Sequence, residues 1–259
     1  VASATQLTDT LMASKDDNAL KGHNILITGA SRGIGQAVSR ACAAAGATVF
    51  LAARDVRALS KTAELITASG AAEPVIVPIN LESATVDDYT MVAALIEEQF
   101  GQLDGLILGA AMLGPLTPLS HYDPLMWARV FQVNLHSNWL LIRACFSVLK
   151  KSGRGSVIMT LAEETGQPNW GAYAVSKAAL RALFETWAAE CRSQAGIRMN
   201  AVIPPPTATR LRMEAFPAAL ESQFATPDAA LPLYLGLLTD TRQERNGEIV
   251  SWRDAATDS

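Results

Sequence analysis

Tyr173 and Lys177 stand four residues apart in the stretch Asn169-Trp170-Gly171-Ala172-Tyr173-Ala174-Val175-Ser176-Lys177. On a helix that spacing puts both side chains on one face, with Cβ atoms about 5–6 Å apart, so the pair can share one cleft. A free phenol ionises near pH ~10, but an ammonium held within ~4–6 Å favours the phenolate. Tyr173 is therefore a candidate general acid or base. Tyr-x-x-x-Lys also arises by chance as a buried Tyr beside a surface Lys, so the context has to decide.

A second chemical stretch lies near the start of the chain. Asn24-Ile25-Leu26-Ile27 is a short apolar run, followed by Thr28-Gly29-Ala30-Ser31-Arg32-Gly33-Ile34-Gly35 and an alanine-rich helical stretch to about Ala45. Strand, glycine turn and helix aim backbone N–H groups and a helix N-terminus at a phosphate. Glycine belongs there because a Cβ would hold a pyrophosphate away from the backbone. The plainer reading is a tight turn between strand and helix.

The spacing Gly-x-x-x-Gly-x-Gly differs from the common dinucleotide fingerprint. It resembles the short-chain dehydrogenase/reductase family, whose motif Thr-Gly-x-x-x-Gly-x-Gly is matched in full by residues 28–35. With Tyr173 and Lys177 the resemblance covers the chain from about residue 21 to 250. It implies a nicotinamide cofactor and interconversion of a small-molecule carbonyl and its alcohol. Lys177 would lower the phenol's pKa and hold the nicotinamide ribose.

Further roles follow from the resemblance, residue by residue. Thr160, thirteen positions before Tyr173, falls where the family places a Ser that hydrogen-bonds the substrate oxygen. Asn134, in Phe131-Gln132-Val133-Asn134, matches an Asn that holds a proton-relaying water. An Asn inside an apolar helix otherwise makes a local hydrogen bond. Cofactor contacts are implied for Gly29, Ser31, Arg32, Gly33, Ile34 and Gly35 in the turn, and for Arg54, Asn80 and Leu81 at the adenosine end. Gly109, Ala110, Tyr173, Lys177, Pro204, Thr207 and Thr209 complete the set toward the nicotinamide.

Cofactor choice rests on the tip of the second strand. An acidic side chain there would bond a ribose 2′-hydroxyl, and an Arg would pair with a 2′-phosphate. The tip reads Ala53-Arg54-Asp55, and Arg32 and Arg54 fall where basic residues go with NADP(H) in the family. NADP(H) is the expectation; the plainer reading, with Arg54 an exposed charge and Asp55 the cap of the next helix, leaves the choice open and NAD(H) possible. Two segments depart from the family pattern. Leu108-Gly109-Ala110-Ala111-Met112 lacks the usual asparagines, and Pro205 replaces a glycine in Pro204-Pro205-Pro206. They motivate a rival reading, a catalytically weak nucleotide-binding or scaffold protein of the same fold.

The elements that position these residues alternate along the chain. Apolar runs at 46–53, 74–79, 103–108, 155–160, 198–203 and 247–252 read as strands after the first. Helical patterns lie at 56–69, 85–100, 125–151, from Trp170 to Cys191, and at 226–238. Strand alternating with helix predicts one α/β domain, a Rossmann-like doubly wound parallel sheet with helices on both faces. Residues 208–225, without strong periodicity and rich in Ala, Phe and Met, read as a lid over an apolar pocket. Glu163, Glu164 and Trp170 fall in the loop after the fifth strand. Residues 1–20 read as a tail or an added helix ahead of the domain at 21–259.

Composition narrows the partners. The 259 residues suffice for a sizeable core. A net charge of −4 gives no electrostatic footprint for nucleic acid or an anionic membrane surface. Three well-separated cysteines and no clustered His predict neither a metal site nor a disulfide framework, and a reducing cytoplasm is the expected home. Helices 125–151 and 170–191 carry more apolar surface than one sheet face covers. A homodimer or homotetramer is expected.

Overall fold

The structure is a computed structural model that describes residues 18–163, 166–194, 196–240 and 245–256. The expected tail and Glu164 thus fall largely or wholly outside the described residues. Seven strands, β1 (Asn24–Thr28), β2 (Thr48–Ala53), β3 (Val75–Pro78), β4 (Gly105–Leu108), β5 (Gly155–Thr160), β6 (Ile197–Ile203) and β7 (Ile249–Ser251), form one sheet. Their order is β3-β2-β1-β4-β5-β6-β7, and every neighbouring pair is parallel. Strands covered on both faces read as near-continuous apolar runs, which is what β1, β2 and β4 are.

Helices cover both faces. On one side α1 (Gly33–Ala44), α2 (Val56–Ala68) and α8 (Leu231–Leu238) pack against Ile25, Ile27, Leu51, Ile107 and Ile158. On the other, α3 (Val86–Phe100), α5 (Ser137–Lys151) and α6 (Gly171–Cys191) pack against Leu26, Phe50, Leu106, Val157 and Met159. Local chemistry sets the helix starts. Thr85 and Asp88 form a capping box on α3. Asp123 accepts from Leu125 and Met126 N–H groups ahead of α4 (Pro124–Phe131).

The sequence predicts one helix over 125–151, and the structure interrupts it. A π-helical turn at Gln132–His136 separates α4 from α5. Within it, the Ser137 hydroxyl donates to the Val133 carbonyl at 2.7 Å and the Asn138 amide to the Asn134 carbonyl at 2.7 Å. Side chains that capture i−4 carbonyls compete with the helical ladder, and such turns concentrate at functional sites. The segment 208–225 contains a short helix, α7 (Arg210–Ala215), and a bridge from Thr207 to Ala225.

Strand order reverses between β1 and β4, where doubly wound sheets open a crevice at their C-terminal edge. The glycine turn, the loop after β4 and the start of α6 all converge on that edge.

Candidate functional site

One cleft of about 430 Å³ runs along this edge, from Arg54 and Asp55 past the glycine turn to Tyr173 and Lys177. At its centre Gly29 and Gly33 hold φ of +72° and +56°. A Cβ on Gly35 would lie 2.3 Å from the Gly29 carbonyl, so only glycine lets the first turn of α1 sit on the turn before it. Thr28 Oγ1 accepts from the N–H groups of Gly109 and Ala110 at 3.1 and 3.2 Å. The loop after β4 is thereby tied to the end of β1 without its family asparagines. No side chain caps α1, whose first N–H groups open on the cleft. An uncapped helix start beside three glycines fits a diphosphate.

At the Arg54 end, the arginines already meet carboxylates. Arg32 approaches Asp55 at 3.7 Å, and Arg54 approaches Glu82 at 3.4 Å. Glu82 also pairs with Arg129 of α4 at 3.1 Å. Asp55 also accepts from the Ala58 N–H and so caps α2, the capping role that the sequence offers for it. Asn80 Oδ1 accepts from the Glu82 N–H, and Asn80 and Leu81 line the cleft. In the sequence, nothing about a lone carboxylate after β3 marks Glu82 as an arginine partner.

At the other end, Lys177 is 4% exposed and its Nζ lies 5.9 Å from the centre of the Tyr173 ring. The pair shares one face of α6, as the four-residue spacing predicts. The lysine donates to the backbone carbonyl of Thr160 at 2.8 Å. The Thr160 hydroxyl is turned elsewhere. It lies 2.9 Å from the hydroxyl of Tyr234 on α8. Along β5, Ile158 packs with the α8 layer, and Val157 and Met159 pack with the α6 layer. The hydroxyl of Thr160 thus points to the face that α6 does not cover. Ala162, two residues on, packs against the cluster of Leu113, Tyr173 and Ala215. The thirteen-residue offset places Thr160 at the cleft while its hydroxyl serves Tyr234.

Asn134 is fully buried, and its amide braces two segments. It accepts from the Met112 N–H at 2.8 Å and donates to the Met112 carbonyl and to Ser176 Oγ, each at 2.9 Å. Ser176 Oγ donates to the Tyr173 carbonyl at 2.8 Å. Asn134 therefore ties the cleft floor after β4 to the turn of α6 that carries Tyr173. Its own carbonyl accepts from the Asn138 amide at 2.7 Å.

Pro204, Thr207 and Thr209 line the cleft as expected. The Thr207 hydroxyl donates to the Pro205 carbonyl at 2.6 Å, and Thr209 Oγ1 caps α7 by accepting from the Arg212 N–H at 3.2 Å. The Thr209 methyl lies over Gly33, 3.1 Å from where a Cβ would stand. The described residues of the Pro204–Pro206 turn need no left-handed backbone, so proline is tolerated where the family has glycine.

Among the described residues no group of three metal-ligating side chains occurs, and no helix is long and apolar enough to cross a membrane. The three cysteines are free and buried.

The short chain dehydrogenase family model matches residues 23–219 of the chain. Oxidoreductase YciK of Escherichia coli K12 is 34% identical over 225 residues, covering 86% of this chain and 88% of that one. Among solved structures, a short chain dehydrogenase from Pseudomonas syringae superposes with a TM-score of 0.86 at 37% identity, over 91% of this chain and 96% of the other. One from Escherichia coli CFT073, complexed with NADPH, gives 0.87 at 33% identity, over 91% and 98%. The chain belongs to the short-chain dehydrogenase family of oxidoreductases.

Proposed function

We propose that the protein is an NADP(H)-dependent oxidoreductase that interconverts a carbonyl and an alcohol, with Tyr173 as its acid and base. The observation that carries this reading is the single cleft joining an uncapped glycine helix to the Tyr173–Lys177 pair. NADP(H) is supported by Arg32 and Arg54 at the adenosine end and by the NADPH complex of the Escherichia coli CFT073 relative. The glycine turn and the start of α1 hold the diphosphate, Arg32 and Arg54 the 2′-phosphate, and Asn80 and Leu81 flank the adenine. Bound there, the cofactor supplies the hydride.

Tyr173 donates its proton to the substrate oxygen as the adjacent carbon receives the hydride, which yields the alcohol. Lys177 holds the ribose and favours the phenolate that remains. Asn134 is a positioning residue: it keeps the floor after β4 in register with α6. Thr160 contributes its backbone carbonyl to the placement of Lys177. Residues 208–225, with α7, form the lid of a single domain that begins near residue 21.

The exposed apolar side chains Leu125 and Trp139 on α4 and α5, and Val175 on α6, support a homodimer or homotetramer through these helices. A cytoplasmic location agrees with three buried free thiols. The test is single-turnover oxidation of NADPH by a reducible carbonyl, comparing the parent with Tyr173→Phe. Loss of a positioned acid lowers the rate by about 10²–10⁴-fold. An unchanged rate would return the chain to the reading of a nucleotide-binding scaffold.

A further inference from the structure

The walls nearest Tyr173 are hydrocarbon. Ala111, Met112, Leu113, Leu161, Ala162 and Leu211 face the cleft there. Packed against Leu113, Tyr173 and Ala215, two segments distant in sequence meet through their rings. Trp170, ahead of α6, lies 5.7 Å from Tyr173 and 5.8 Å from Phe216, at the end of α7. Tyr173 itself is only 6% exposed.

Several polar side chains at this end already have protein partners. Glu163 pairs with Arg253 at 3.0 Å, and Glu214 with Arg210 at 2.6 Å. The Arg212 guanidinium stacks over Phe216 and Phe224 at 4.5 and 5.3 Å. The hydroxyls of Thr160, Thr207 and Thr209 bond Tyr234, the Pro205 carbonyl and the Arg212 N–H. A substrate rich in hydroxyls would bury several of them against carbon. Each buried hydroxyl without a partner costs about tenfold or more in affinity.

We propose that the substrate is a carbonyl compound with an apolar substituent, and that polyols and sugars are rejected. This rests on the reading of the cleft as a carbonyl-reducing site. The substituent lies against Met112, Leu113, Ala162 and Leu211, while the carbonyl oxygen reaches Tyr173.

The full chain is assayed with NADPH on acetophenone, acetaldehyde and fructose, and acetophenone binding to the NADP⁺ complex is measured by calorimetry at two temperatures. The expected result is a kcat/KM for acetophenone at least ~100-fold above that for fructose, with a negative heat-capacity change on binding. Met112→Ala and Leu211→Ala should each lower the acetophenone-to-acetaldehyde ratio of kcat/KM by about tenfold.

Fructose turned over as well as acetophenone overturns the proposal, as does the absence of both heat and turnover with acetophenone. Fructose reduction that depends on Tyr173 would sink the substrate class and leave the carbonyl-reductase reading intact. Acetophenone that binds with the expected heat-capacity change, but is reduced equally by the parent and Tyr173→Phe, would leave the apolar site standing and remove Tyr173 as the acid.

Discussion

Lys177 Nζ donates to the backbone carbonyl of Thr160 at 2.8 Å. The contact joins α6 to the end of β5 through an atom that every residue possesses. Substituting Thr160 therefore leaves the lysine's partner in place and changes only the opposite side, where the hydroxyl meets Tyr234 at 2.9 Å.

Thr160→Val should consequently act on stability more than on the position of Lys177. Tyr234 is 1% exposed, and burial raises its phenol pKa, so its hydroxyl stays neutral and needs a partner. Removing the Thr160 hydroxyl strands it, at a cost of about 1–3 kcal/mol. Tyr234→Phe leaves the Thr160 hydroxyl at the edge of the cleft, within reach of water, and should cost less. Urea unfolding of both variants checks the order. A larger loss for Tyr234→Phe would contradict it.

This geometry marks where sequence reading stops. The seven strands were legible because a parallel sheet buried on both faces writes apolar runs. The glycine turn was legible because close backbone approach leaves no other residue type for Gly35, and Tyr173 with Lys177 because helical spacing fixes a shared face. The offset to Thr160 counts residues and carries no direction, whereas the alternation of Val157, Ile158 and Met159 between the two layers does. Tyr234 had a weak signal, one hydroxyl in the otherwise apolar Leu231-Pro232-Leu233-Tyr234-Leu235 run, since a buried Tyr seeks a partner. The π turn and the partners of Arg54 are long-range facts with no local mark.

Glu82 should oppose the cofactor's 2′-phosphate. It engages Arg54 and Arg129, and a phosphate at the same place has to share Arg54 with it. Glu82→Gln removes that charge and should tighten NADPH relative to NADH, and Arg54→Ala should weaken NADPH selectively by about tenfold. Arg54 and Arg129 are largely solvent-exposed, so the effects shrink as salt rises. Fluorescence titrations with both cofactors at two ionic strengths measure this. Equal NADPH and NADH affinities in the parent protein would defeat the prediction.

Alkaline pH should destabilise the fold through its thiols. Burial pushes Cys42 and Cys145 up to about 12, from an ordinary value of 9.0. Between about pH 9 and 12 the unfolded chain has lost these protons and the folded chain still binds them. Stability is therefore full below pH 9 and falls by about 1.4 kcal/mol per pH unit for each thiol across that window. Tyr89, also raised to about 12, adds to the same slope above pH 10. Urea midpoints at pH 8.5 and 10.5 should drop less in Cys42→Ala than in the parent. Equal drops would mean that Cys42 does not contribute.

Lys177→Met separates the two tasks assigned to one ammonium. The side chain is almost wholly buried, so methionine fills the space of its stem but gives up the bond to the Thr160 carbonyl and the charge 5.9 Å from the Tyr173 ring. Loss of the charge withdraws support from the phenolate, and loss of the donor removes the assigned contact to the ribose. Hydride transfer should slow by about 10²-fold or more, and NADPH should bind more weakly. Tyr173→Phe should lower the rate while leaving NADPH affinity nearly unchanged, because the glycine turn and α1 supply that binding. Lys177→Arg keeps the charge but not the compact ammonium, and so should recover affinity more than rate. Stopped-flow hydride transfer and equilibrium NADPH titration on the three variants resolve the pattern. Lys177→Met that bound NADPH as tightly as the parent would release the lysine from the ribose and leave it only the phenol.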